Sequence, residues 1–294
     1  VANRKMHDDE PDIDDELVRR LLDAQFPQWA GLPLRAVASA GTDNALYRLG
    51  EELVVRLPRV DWAVGDIEKE HRWLPRLGPQ LPVAVPEPLA VGKPGEGYGW
   101  PWSVYRWLEG ENPQPGQLAD PLALAAELAA FVTALHRIDP ADGLSASRGI
   151  PLQQRDAQTR AAIAESAGLI DTAPVTEAWE RALRAPAWDG PPVWIHADLS
   201  PGNLLTVDGR LSAVIDFGAL GTGDPACDLL IAWNLLPADA REVFRSTLRV
   251  DDATWERGRG WALSIALVAL PYYQTRSPVL ASNSRYVIGQ LLTE

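Results

Sequence analysis

The stretch His196-Ala197-Asp198-Leu199-Ser200-Pro201-Gly202-Asn203, followed further on by Asp216-Phe217-Gly218, decides the reading of this chain. Val193-Trp194-Ile195 leads into the first segment, and Leu204 to Val207 and Leu211 to Ile215 lie between the two. All three are short apolar runs of strand length. Asp208-Gly209 joins the last two runs and is the dipeptide of a two-residue hairpin, whose central positions both require positive φ. The pattern is strand, polar loop, hairpin, polar loop, with Asp198, Asn203 and Asp216 at strand ends. One Asp or Asn beside a strand ordinarily bonds its own backbone in a turn. Both segments at fixed internal spacing, on either side of a hairpin, point instead to a site.

Working outward toward the start, Leu17, Leu21 and Leu22 recur at helical spacing after Ile13, with Asp14, Asp15 and Glu16 at the dipole-favoured end. Strand-like pieces follow at Leu34 to Ser39, Ala45 to Leu49 and Leu53 to Leu57, the last two joined in hairpin fashion by Gly50-Glu51-Glu52. Ile67 to Leu77 reads as a helix. Prolines at 79, 82, 86 and 88 then impose extended chain, and strands are expected at Pro88 to Gly92 and Trp102 to Trp107. The glycine-rich Gly92-Lys93-Pro94-Gly95-Glu96-Gly97-Tyr98-Gly99 between them does not match a P-loop and opens no helix, so it reads as their connecting turn.

Past Gly110 the texture becomes helical. Asp120-Pro121 is an N-cap and first-turn pair, and Leu124, Leu128, Phe131 and Leu135 form a stripe of period near 3.6. Trp261 to Pro271 is too short an apolar run to cross a bilayer and reads as a buried helix. The fold class is α+β in two lobes: a small antiparallel-sheet lobe over 1–108 and a mainly helical lobe over 109–294.

The composition suits a folded globular chain of two lobes: 294 residues, 46% hydrophobic and 23% charged. A formal charge of −13 argues against nucleic acid or an anionic membrane as partner, because both bind clustered Lys and Arg. The same charge favours a cationic small molecule or serves solubility alone. Cys227 is the single cysteine, which excludes an intrachain disulfide and a multi-thiolate metal site and fits a reducing cytoplasm. The opening residues through Asp8, Asp9 and Glu10 lack the apolar core of a signal peptide and read as a mobile tail. A monomer or weak dimer is expected.

The spacing of His196 to Asn203 and of Asp216 to Gly218 matches the kinase pattern H-x-D-x-x-x-x-N followed by D-F-G. Phosphoryl transfer needs a carboxylate to orient and deprotonate a hydroxyl, and hard oxygen ligands for Mg²⁺. With Ile215 before the second motif, and Gly223-Asp224-Pro225 and Asp228-Leu229 after it, the chain resembles the aminoglycoside and macrolide phosphotransferase family, which shares the protein-kinase-like fold. Gly223-Asp224-Pro225 follows Gly218 too closely for the long activation segment of protein kinases.

The resemblance implies Asp198 as catalytic base, Asn203 and Asp216 as Mg²⁺ ligands, and ATP or GTP as phosphate donor. It makes Asp228 an anchor for the loop, and His196 and His136 packing residues. It places Arg56 where kinases carry the phosphate-holding strand lysine, a departure that keeps the charge but changes the geometry. Glu70 is its expected partner, with Glu68 the alternative; two residues apart, they cannot share a helix face. Ser39, Gly41 and Thr42 would cover the nucleotide phosphates, and Trp107 and Leu108 would meet the purine at the hinge. The acceptor site falls to 153–188 and the C-terminal helices, with Asp156, Glu165, Glu177 and Glu180 as candidate ligands and Trp179, Trp233, Trp261, Tyr272 and Tyr273 as candidate walls. The expected reaction moves the nucleotide γ-phosphate to a hydroxyl of a small-molecule antibiotic, aminoglycoside or macrolide in type and cationic. A kinase of a small hydroxylated metabolite and a nucleotide-binding pseudokinase module are the alternatives.

Overall fold

A computed structural model describes residues 10–37 and 43–293. The chain divides into two compact units, one of residues 1–79, 84–110 and 213–218, the other of 80–83, 111–212 and 219–294. Each has the composition of layers that its sequence periodicity dictates.

In the first unit, helix α1 (Asp15–Gln25) is capped by Asp14, whose carboxylate accepts from the Leu17 amide at 2.7 Å. It buries Leu17, Val18, Leu21 and Leu22, the face that the i, i+4 spacing sets up. Removing each such side chain from water is worth about 1.5–3 kcal/mol. Five antiparallel strands form the sheet: β1 (Leu34–Ala36), β2 (Asn44–Leu49), β3 (Leu53–Pro58), β4 (Pro88–Gly92) and β5 (Trp102–Arg106), in the order β1-β2-β3-β5-β4. Along β2 alternate residues Ala45, Tyr47 and Leu49 are buried, the period of a strand with one face on a core. Arg56 lies on the middle strand β3, opposite Leu46 on one side and Ser103 on the other. Helix α2 (Val64–Leu77) buries Ile67, Glu70, Trp73, Leu74 and Leu77.

The second unit carries α3 (Pro121–Arg137), α4 (Asp156–Glu165), α5 (Thr172–Arg184), α6 (Ile231–Asn234), α7 (Ala238–Leu248), α8 (Asp252–Tyr273) and α9 (Pro278–Leu292). Asp120 caps α3 by accepting from the Ala123 amide at 3.0 Å, and Leu124, Leu128, Phe131 and Leu135 are buried along it. Strand β6 (Val193–Ile195) pairs antiparallel with β9 (Gly221–Gly223), and β7 (Leu204–Val207) pairs with β8 (Arg210–Val214). Asp208 (φ 51°) and Gly209 (φ 77°) both take the left-handed conformation that the hairpin turn requires. Among the described residues no helix is long and apolar enough to cross a membrane.

The architecture is the two-lobed α+β arrangement of a protein-kinase-like fold. Some boundaries differ from the sequence reading. β1 ends at Ala36, and Ser39 lies outside the described residues. α2 starts at Val64 rather than Ile67, and β5 stops at Arg106, one residue before Trp107. β9 has no counterpart in the sequence reading because Gly221-Thr222-Gly223 shows no apolar alternation; its pairing with β6 is a tertiary effect.

Candidate active site

In the first unit, Arg56 joins two carboxylates. Its Nη1 donates to both Glu70 oxygens at 2.8 and 2.9 Å, and its Nη2 donates to Asp216 Oδ1 at 3.0 Å. Glu70 is fully buried on α2 whereas Glu68 is exposed, as alternation around a helix requires. The Tyr105 hydroxyl from β5 also donates to Glu70 Oε2. Burial alone would draw the Arg56 guanidinium down, but Glu70 and then Asp216 hold it well above its ordinary value. The same surroundings, burial first and the Glu70 charge second, push the Tyr105 phenol well up.

Asp216 is held in the left-handed region at φ 62°, and Phe217 beside it is fully buried. Gly218 completes the turn, where a Cβ would meet Asp66 Oδ2 at 2.6 Å and displace that carboxylate. Lys69 ties the same turn to α2, donating to the Gly218 carbonyl and to Asp66 at 3.1 Å. At the end of β5, the Trp107 amide donates to the Glu52 carbonyl at 2.7 Å, and Arg48 stacks over the indole at 4.6 Å. Leu108 is half-buried, and neither of its backbone groups makes a hydrogen bond among the described residues. Gly41, Thr42 and Ser39 lie outside the described residues.

In the second unit, the loop after β6 is held from below. Asp228, fully buried, accepts from the amides of His196 at 3.1 Å and Ala197 at 2.7 Å, and meets His136 Nε2 at 3.1 Å. His196 is buried, and its Nδ1 accepts from the Asp198 amide at 3.2 Å. Ala197 is forced to φ 67°, a conformation that costs an L-residue about 1 kcal/mol. Asn203 Nδ2 donates to the Asp198 carbonyl at 2.8 Å and to Oδ2 at 3.3 Å. Asn112 fixes the far end of the loop, donating to the carbonyls of Gly202 and Leu204. The Asp198 side chain is 38% exposed, and its Oδ1 accepts from Arg148 Nη1, which also donates to the Ala197 carbonyl at 3.1 Å.

Arg148 lines a cavity of about 640 Å³ together with Arg155, Glu165, Tyr272 and Tyr273. Of the candidate acceptor ligands only Glu165 lines it. Asp156 and Glu180 are tied to Arg160 at 2.8 and 2.6 Å, and Glu177 is exposed elsewhere on α5. Trp179, Trp233 and Trp261 are fully buried, leaving Tyr272 and Tyr273 as the walls. Arg148 and Arg155 escaped the sequence reading because neither belongs to a spaced motif; only the folded chain brings them to one cavity.

The phosphotransferase enzyme family model matches residues 35–261. No curated protein sequence matches the chain. Solved structures with the same fold include the GDP complex of wild-type aminoglycoside 2'-phosphotransferase-IIIa, 19% identical, with 96% of this chain and 99% of that one covered at TM-score 0.77. The GDP and kanamycin complex of APH(2")-IIIa is 20% identical, with 93% and 97% covered at TM-score 0.76. The macrolide 2'-phosphotransferase MphH from Brachybacterium faecium, an apoenzyme, is 24% identical, with 91% and 97% covered at TM-score 0.60. With its matched span running from β1 into α8, this chain belongs to the phosphotransferase enzyme family.

Proposed function

We propose that this protein transfers the γ-phosphate of ATP or GTP to a hydroxyl of a small molecule, with Asp198 as the base. The observation that carries the reading is the Asp198 carboxylate itself: half-exposed, held by Arg148 and Asn203, and set on a loop that Asp228 anchors from a buried position. The acceptor hydroxyl gives its proton to Asp198 as its oxygen bonds to the γ-phosphorus. The bond to the β–γ bridging oxygen breaks, and a nucleoside diphosphate leaves. Arg56, kept charged by Glu70 and Asp216, is the cation for the nucleotide phosphates, and the unbonded backbone of Leu108 is available to the purine edge. Ser39, Gly41 and Thr42 would cover the phosphates.

The donor set suits Mg²⁺. Asp216 Oδ2 and the Asn203 amide oxygen make no hydrogen bond among the described residues, and both are hard oxygen donors. Among those residues no cluster of three or more His, Cys, Asp and Glu offers an all-protein cage. Mg²⁺ needs none, since it ordinarily binds through one or two protein groups and takes the rest of its shell from water and phosphate. When bound it neutralises charge on the transferring phosphoryl group.

Likeness to proteins solved with GDP and kanamycin, or named macrolide phosphotransferases, favours an antibiotic of aminoglycoside or macrolide type as acceptor. One observation favours the second reading, a hydroxylated metabolite without net positive charge: the cavity next to Asp198 presents two arginines. A pseudokinase module rests on Arg56 alone. We take the enzyme to be cytoplasmic, which the buried, unpaired Cys227 suits, and to act as a monomer or weak dimer. The test is to incubate the protein with Mg²⁺ and ATP or GTP across kanamycin, erythromycin, amino alcohols and sugar acids, following phosphate monoesters by ³¹P NMR. A new monoester with stoichiometric nucleoside diphosphate is expected; nucleotide hydrolysis without any monoester counts against transfer.

A further inference from the structure

Two arginines line the 640 Å³ cavity of the second unit, and their circumstances differ. Arg148 is spent on Asp198 and the Ala197 carbonyl. Arg155 pairs with no carboxylate among the described residues. Its Nε donates to Ser264 Oγ at 3.1 Å and its guanidinium lies over the Trp261 ring at 5.4 Å, while Nη1 and Nη2 make no hydrogen bond among the described residues. The supports are rigid: Ser264 is fully buried on α8 and shares a 2.7 Å hydrogen bond with Thr159 of α4.

Burial, then the charge of Arg148, pulls the Arg155 guanidinium below its ordinary value. An arginine does not lose its proton in a protein, so this strain is relieved by an anion rather than by titration. The lining offers one carboxylate, Glu165, which is exposed and makes no hydrogen bond or ion pair with Arg155 among the described residues. Tyr272 and Tyr273, edge to face at 4.8 Å, wall the cavity, and Arg276, outside the lining, stacks on Tyr272 at 4.5 Å. The volume is that of a small-molecule site.

We infer that Arg155 is a specificity residue: it binds an anionic group, carboxylate or phosphate, on the acceptor whose hydroxyl is phosphorylated, with Tyr272 and Tyr273 packing on the body of that molecule. This rests on the phosphotransferase reading in taking the cavity as the acceptor's; of the two acceptor readings it takes the hydroxylated metabolite over the antibiotic and narrows it to hydroxylated acids. A polycation would meet an uncompensated positive charge here. An arginine hydrogen-bonded to a carboxylate is worth about 1.5–3 kcal/mol, or roughly tenfold or more in affinity.

Three probes of one shape test it by titration calorimetry on the full chain: 4-(hydroxymethyl)benzoate, its neutral carboxamide, and 4-(hydroxymethyl)benzylamine. The benzoate is expected to bind about tenfold more tightly than the carboxamide, with the amine weakest. Arg155→Gln is expected to erase that order and Arg155→Lys to keep most of it, both variants retaining nucleotide affinity and the cooperative melt of the native protein. Equal or reversed affinities, no benzoate binding at millimolar concentration, or an unchanged order in Arg155→Gln would each overturn the assignment. Should Arg155→Gln fail to fold, Arg155→Lys and the native order decide it. Binding is read without transfer, so a protein that makes no monoester but keeps the charge order fails the kinase reading alone, and one that phosphorylates kanamycin while refusing the benzoate fails this one alone.

Discussion

Arg56 stands where the resemblance to kinases expects a lysine, and its surroundings explain what a guanidinium does there. Two nitrogens serve two carboxylates: Nη1 holds both oxygens of buried Glu70, and Nη2 reaches Asp216 at 3.0 Å. A lysine offers one nitrogen and can satisfy one carboxylate well. Arg56→Ala leaves the Glu70 charge buried with only the Tyr105 hydroxyl, and breaking a buried pair in this way costs about 3–5 kcal/mol. The expected outcome in denaturant melts and nucleotide titrations is a large stability loss with Arg56→Ala together with weak nucleotide binding. Arg56→Lys is expected to fold, bind nucleotide and keep turnover within about tenfold. An alanine variant as stable and active as the native protein would return Arg56 to an ordinary strand residue.

Elements, rather than single side chains, position the catalytic loop. Asp228, in the 3-10 turn before α6, supplies the acceptors for two loop amides that have no access to water. Asp228→Ala strands both donors at about 1–3 kcal/mol each and frees the strained Ala197 backbone. Turnover should fall by more than about tenfold while nucleotide affinity stays near native, since Arg56 and Leu108 belong to other elements. A variant that loses both in proportion would point to general unfolding instead. The sequence made much of this legible because local signals carried it: the acidic start of α1, the Asp120 cap, the strand-length run at Ala45 to Leu49 and the Asp208-Gly209 turn each follow from a few adjacent residues. Helical periodicity left only one of Glu68 and Glu70 facing inward, the resemblance named Glu70, and the structure pairs it with Arg56. β9 needed a partner strand to exist, and Arg148 and Arg155 come from the connection into α4, where no spacing marks them. They gain meaning from Asp198, Ser264 and Tyr272, residues 198–272, which only folding brings near. His136, read as packing alone, also bonds Asp228.

At the scale of the whole molecule two fields oppose one another. The formal charge of −13 repels an approaching anion, while the cavity offers Arg155 at short range. Salt screens the first more than the second, because exposed charges lose their reach beyond about 10 Å at 0.1 M and a half-buried group keeps more of its own. For hydroxylated acceptors matched in size, the ratio of kcat/KM for an anionic one to that for a cationic one should therefore rise several-fold as ionic strength increases, with kcat changing less. A falling ratio would mean that the positive charge around the cavity, rather than the acidic surface, sets the field the acceptor meets on approach. Beneath these choices of substrate lies the assignment of Asp198 as base, and one comparison reaches it directly: phosphate monoester formation by the native protein and by Asp198→Asn, with nucleotide binding measured on the same samples. A base that accepts the hydroxyl proton contributes about 10²–10⁴-fold. Asp198→Asn should lose transfer by that factor and still bind Mg²⁺-nucleotide as the native protein does, whereas monoester formed at the native rate would contradict the mechanism.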